Sequence, residues 1–266
     1  MSWARSLGSY AVLALVPGPA VFAQQSADEL AKQLANPVGA LISVPLQLNY
    51  DDGLGPQGEG HKWTLNIQPV IPFSMGGNWN LISRTILPIV GQHDVVDDDS
   101  SQSGIGDITQ SVFFSPKAPT ASGWIWGAGP VLVLPTGRAG FTANQWAAGP
   151  TAVVVKQMGP WTYGALVNHV WGITHDGPTP AISSTYLQPF LSRGLGRGVT
   201  ATIDSEASYD WNRSQWTVPA NLSISKVTQL GEQHISLGGG VRYYFESPAG
   251  GPNWGLRLTV TLLFPR

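Results

Sequence analysis

The chain has 266 residues, a formal net charge of −2 and only 11% charged residues, against roughly 25% in a soluble domain. That balance offers no basic surface for nucleic acid, and the absence of cysteine excludes a disulfide framework and a thiolate metal site. Glycine (32) and proline (21) are abundant while mean hydropathy is only +0.02, so the chain is neither charged like a soluble domain nor continuously apolar like a helical membrane protein.

Residues 1–23 read as a cleaved signal peptide. Arg5 supplies the positive start, Tyr10 to Phe22 is largely apolar, and Val21-Phe22-Ala23 fits a small-x-small cleavage pattern before Gln24. The apolar stretch is too short for an anchor and is interrupted by Pro17 and Pro19. Residues 24–40 then form a short periplasmic segment. Within it Ser26 to Asn36 is a helix, with Ser26 and Glu29 as a capping box, Leu30 and Leu34 on one face, and Asn36-Pro37 as the stop.

From residue 41 to 266 the pattern changes to a period of two. Ile42, Val44, Leu46, Leu48 and Tyr50 alternate with Ser43, Pro45, Gln47 and Asn49. Trp63, Leu65 and Ile67 alternate with Thr64, Asn66 and Gln68. Near the end Trp254, Leu256, Leu258, Val260, Leu262 and Phe264 alternate with Gly255, Arg257, Thr259 and Thr261. Such rows fit strands with one face in lipid and the other in a polar lumen. Between them strands are predicted near 79–90, 105–115, 123–134, 145–156, 160–172, 182–192, 199–210, 216–226 and 235–246, with weaker alternation in the middle. The total is about twelve, an even number as single-chain bacterial barrels require. Longer connections such as Asp51–His61, Gly91–Gly104 and Pro135–Asn144 alternate with short ones such as Gln157–Pro160 and Gly194–Arg197, as external loops and periplasmic turns should. Lys156 and Lys226 fall at periplasmic strand ends, where a lysine snorkels out of the apolar band.

Ten of the eleven tryptophans sit at the ends of these segments: Trp63, Trp79, Trp124, Trp126, Trp146, Trp161, Trp171, Trp211, Trp216 and Trp254. Amphipathic rings gathered at both ends mark two membrane–water interfaces. The fold expected is therefore all-β, a transmembrane antiparallel up-and-down barrel of about 12 strands with a short N-terminal helix. A secreted soluble β-sandwich would instead bury its apolar rows centrally.

Parity places Arg84, Asp107, Asp204, Glu206, Arg242, Glu246 and Arg257 on the lumen face. These charges are candidates for a constriction that selects permeants; the structural alternative, favoured by their near balance, is that acids and bases pair to hold the barrel together. Asp94, Asp97, Asp98 and Asp99 form an acidic external loop without the regular spacing of a calcium loop. His169 lies in a strand with its side chain toward lipid, beside Ser183-Ser184 on the next strand, a placement a membrane lipid hydrolase would need. The residues around it lack a Ser–His–acid signature, so no catalytic residue is assigned. His61, His93, His175 and His234 lack metal-ligand spacing, and no metal or cofactor is assigned. Gly194–Gly198, GLGRG, reads as a turn rather than a phosphate loop.

Leu30–Asp51, Leu65–Phe73, Trp79–Val90, Gly104–Pro116, Gly127–Thr136, Ala147–Gly172 and the terminal WGLRLTVTLLFP, in that order, resemble a family of bacterial outer-membrane β-barrels. That family is labelled transporter or, misleadingly, neuromedin U, and is similar to barrels of the phenol meta-degradation pathway. The resemblance implies an outer-membrane location and a channel for small molecules, apolar or aromatic ones among them, with a lipid hydrolase or a purely structural barrel as the alternatives. It implies outer-membrane lipid, lipopolysaccharide, the barrel-assembly machinery and an unidentified small permeant as partners. It defines no catalytic residues.

Overall fold

The computed structural model describes residues 26–174 and 180–265, so the expected leader and His175 lie outside the described residues. One helix, α1 (Ala27–Leu34), precedes the strands. The strands are β1 (Ile42–Leu54), β2 (Gly60–Ile67), β3 (Val70–Ser74), β4 (Trp79–His93), β5 (Ser101–Ile105), β6 (Ile108–Pro116) and β7 (Trp124–Leu134). They continue as β8 (Ala147–Met158), β9 (Trp161–Gly172), β10 (Ser183–Gly196), β11 (Val199–Ser205) and β12 (Ala207–Asp210). The last three are β13 (Gln215–Leu230), β14 (Gln233–Glu246) and β15 (Trp254–Phe264).

β2 with β3, β5 with β6, and β11 with β12 each form one broken stave, so fifteen segments make a closed antiparallel barrel of twelve staves. Every stave pairs with its sequence neighbours, and β1 pairs β15 from Ile42↔Phe264 to Asp52↔Trp254. The first and last staves thus close the wall and leave no edge to be satisfied by water. The connections at one end are long, among them 94–100, 135–146 and 247–253. Those at the other end include turns of two residues. One of these is Arg197-Gly198, where both residues have positive φ (55° and 74°), the geometry whose twist matches that of a hairpin.

The breaks in the staves follow proline. Pro69 has no N–H, and β2 stops before it; the flanking Gln68 N–H donates to Pro45 O and Thr85 N–H donates to Pro69 O. The break at Gly106 lies opposite Pro88, whose carbonyl accepts the Gly106 N–H at 2.9 Å. Glu206 separates β11 from β12 because Ser205↔Ala220 and Ser208↔Thr217 place it across from Pro219, which cannot donate to it. Pro130 and Pro150 face one another in register on β7 and β8, and pairing is interrupted beside them toward both β6 and β9.

Outward rows such as Leu256, Leu258 and Val260 are exposed on the barrel surface. The tryptophans divide into two rings bounding this apolar band. Trp79, Trp124, Trp126 and Trp161 stand at the end that also carries α1, and Trp63, Trp146, Trp171, Trp211, Trp216 and Trp254 at the opposite end. Lys156 Nζ lies 5.4 Å from the Trp124 ring centroid in the first ring. The inward side of β1 is polar, but that of the middle staves is not: Ile82, Phe113, Val153, Val155 and Leu166 are buried with Val38 in one apolar cluster. Because Phe114, Val154 and Val167 on the same staves face outward, these strands are apolar on both faces, which is why their alternation is weak. The barrel is therefore packed solid along one wall and polar along the other.

Strand limits differ from the sequence expectation at β1, at β10, which runs to Gly196 and shortens the expected Gly194–Arg197 turn, and at β13, which runs to Leu230. Asp51, Asp52 and Gly53 read as the start of a loop, yet the strand continues to Leu54 with Asp51 buried as the next inward residue after Asn49.

Val260 faces outward near mid-stave, and Thr259 beside it lines the interior. Val260→Arg should lower the stability of protein refolded into bilayers by about 2–4 kcal/mol, and Thr259→Arg by clearly less, as read by denaturant titration. Equal losses would mean the stave is inside out.

Candidate functional site: the barrel lumen

The lumen is built in layers, beginning with α1 at the end of the two-residue turns. Ser26 Oγ accepts the Glu29 N–H at 3.1 Å, Asp28 and Glu29 occupy the first turn and Lys32 the last, so cap and charges suit the helix dipole. Glu29 Oε1 also accepts from Gln33 Nε2 at 3.2 Å, one turn along the helix. Leu30 and Ala31 bury against Leu41, Val227 and Leu263, the last two inward residues of β13 and β15. Two polar ties hold the helix to the wall. Asp28 Oδ1 accepts the Gly198 N–H at 2.5 Å, and Gln157 Nε2 donates to Lys32 O at 2.8 Å. A Cβ at Gly198 would meet Ala27 Cβ at 2.9 Å, so the GLGRG turn serves close approach of the helix. The helix seats in the mouth of the barrel rather than covering it from outside.

The ionic layer lies beyond. Arg257 Nη2 bonds Glu206 Oε2 at 2.6 Å, its Nε donates to Asn49 Oδ1 at 2.8 Å, and its Nη1 is 3.9 Å from Asp204 Oδ2. Arg242 joins Asp51 at 3.4 Å to the same Glu206 oxygen at 3.6 Å. Asn221 Nδ2 and Tyr244 OH donate to Asp204 and Asp51 respectively, both at 2.8 Å. Both arginines are at most 9% exposed, so the carboxylates stabilise them where water cannot. Glu206, at the break between β11 and β12, sets its carboxylate between the two guanidinium groups. Arg84 stands nearby and donates from Nη2 to Gln68 Oε1 at 3.1 Å.

Between the helix and this layer is a cavity of about 310 Å³. Its walls combine apolar Leu34, Leu41, Val70, Phe190 and Val227 with Gln47, Gln68, Arg84, Asp204 and Arg257, and in register Val70 lies opposite Arg84 and Phe190 opposite Asp204.

Of the charges assigned to the lumen, Arg84, Asp204, Glu206, Arg242 and Arg257 converge. Asp107 does not: its carboxylate accepts the Gly137 and Ala143 N–H groups at 3.0 and 2.9 Å and holds the external 135–146 loop. Glu246 is exposed at the rim, where a bulge between Val218 and Pro219 shifts the register, and meets Gln215 at 3.5 Å. Sequence reading missed Asp51, Asn49, Asn221 and Tyr244; unbroken inward parity from Gln47 marks the first two.

The acidic loop is tied internally, with Ser100 Oγ donating to Asp97 O at 2.6 Å and Asp94 meeting His93 Nε2 at 3.2 Å. Among the described residues no three His, Asp or Glu are grouped to hold a metal. His169 faces outward, and its cross-strand partner is Thr185 rather than Ser183 or Ser184. Thr185 Oγ1 accepts from Trp211 Nε1 at 2.8 Å and also shares a hydrogen bond with His169 Nδ1 at 2.8 Å. The histidine thus belongs to an aromatic cluster with Trp171 and Trp211 and has no hydrogen bond to a carboxylate among the described residues.

A closed barrel with an apolar outer band, two tryptophan rings and a charged lumen is a transmembrane β-barrel of the outer-membrane type. The COG4313 outer membrane channel from Pseudomonas putida F1 shares the fold, with a TM-score of 0.67 at 17% identity over 86% of this chain and 97% of that one. Outer membrane phospholipase A from Escherichia coli gives 0.49 at 13% identity over 90% and 98% of the two chains. A Pseudomonas aeruginosa FadL homologue gives 0.40 at 10% over 90% and 92%. No family model and no curated protein matches the sequence.

Glu206→Ala leaves two buried arginines short of their shared partner and should destabilise the refolded barrel by roughly 3–5 kcal/mol. Glu246→Ala at the rim should change stability by no more than about 0.5 kcal/mol in the same denaturant titration.

Proposed function

We propose that this protein is an outer-membrane channel for small molecules, held shut in this conformation by α1. The observation that carries the reading is the seating of the helix in the mouth, below a cavity that neither side-chain packing nor the ionic layer fills. A purely structural barrel gains nothing from an unfilled cavity of this size, whereas a channel that takes one molecule at a time needs a compartment between two barriers. The leader at residues 1–23 directs export, the barrel-assembly machinery inserts the chain, and the apolar band contacts outer-membrane lipid with the long loops among lipopolysaccharide. The ordered sequence blocks that resemble barrels of phenol degradation support small, apolar or aromatic permeants.

Twelve staves filled along one wall leave a narrow path, so intact protein in planar bilayers should show small or intermittent conductance. Removing Ser26–Asn36, or substituting Leu30→Asp to unseat the helix, should raise it several-fold. Large steady currents from the intact chain, or none from either variant, would end the gated-channel reading.

A further inference from the structure

The ionic layer is not neutral. Its acids are Asp51, Asp204 and Glu206, and its bases are Arg242, Arg257 and Arg84 together with Lys62, which sits opposite Asp51 in register and shares its inward face. One positive charge is in surplus. The four ion pairs of the layer all belong to Arg242 and Arg257, and among the described residues no carboxylate forms an ion pair with Arg84. Among the described residues its one side-chain hydrogen-bond partner is the neutral Gln68 oxygen. A guanidinium carries five donors in a planar fork, so most of its capacity is uncommitted where it borders the cavity.

We propose that the cavity is a subsite for a small monocarboxylate with an apolar body, whose carboxylate pairs with Arg84. The inference rests on the channel reading and names the class of permeant. Charge sets the head group: one uncompensated positive charge matches one carboxylate, while a doubly charged phosphate or sulfate would reverse the excess in a site of low dielectric. The wall sets the tail: Val70 lies opposite Arg84 in register, and Phe190 and Leu34 add further apolar surface to the same cavity. The volume, about 310 Å³, lies at the small end of the range for small-molecule pockets. Benzoate and hexanoate are small probes of this class.

The test is calorimetric titration of the detergent-purified full barrel with benzoate, with hexanoate and with benzamide, the neutral isostere of benzoate. Saturable binding of one benzoate or hexanoate per chain is expected, with benzamide weaker by about ten-fold or more. Arg84→Gln should reduce benzoate to the level of benzamide and leave benzamide unchanged. Equal binding of benzoate and benzamide, no saturable binding to the unaltered protein, or an unchanged benzoate affinity in Arg84→Gln overturns the proposal. Should Arg84→Gln fail to fold, the ratio of benzoate to benzamide on the unaltered barrel decides alone. Chloride competing at equal strength with benzoate would reduce the site to a general anion site and overturn it as well. Conductance reads the channel separately: current without carboxylate selectivity removes this site and keeps the channel, and binding without current does the reverse.

Discussion

A chain in hydrocarbon has to pair its own backbone groups, and this barrel depends on doing so by circular closure of β1 against β15. Everything inside follows from that constraint. Strands that must run unbroken around a ring alternate their side chains strictly, so an inward residue is inward by parity. Charges such as Arg242 and Arg257 reach the interior because their neighbours Val241, Leu256 and Leu258 reach the surface. Proline breaks the rule locally, and where it does the freed backbone finds a partner within the wall or the strand stops, as at Pro45, Pro69 and Pro88.

Closure also produces the ionic layer. The arginines of β14 and β15 meet acids from β1 and from the β11–β12 stave, elements distant in sequence that only a completed ring brings together. The cluster fills the lumen at one height, while Phe113, Val153 and Leu166 fill it along the opposite wall. What remains is a compartment on the polar side between the charges and α1.

The outer staves were legible because their two faces differ. Rows such as Leu256, Leu258 and Val260 against Arg257 and Thr259 fix both strand and facing, and the tryptophans fix the two ends. The middle staves were less so, because a strand apolar on both faces carries no period of two, and Val153, Val154 and Val155 show this within three residues. Candidate site residues were half legible. Parity finds the inward charges but not their height, so it groups Asp107 and Glu246 with Glu206 although one holds a loop and the other meets solvent. Asp51 was hidden by composition: two aspartates before a glycine look like a loop, and only the ring of partners around them makes a strand.

The placement of α1 has a consequence for assembly. The helix is joined through Val38 and Leu41 to β1, the first stave, yet it packs on Val227 of β13, Leu263 of β15 and the turn at Gly198. Its seat is therefore made by staves late in the chain and the β10–β11 turn, although its tether leads to the first stave. Its docking surface exists only once those C-terminal staves have formed, so the seating of the first element of the fold depends on the far end of the chain.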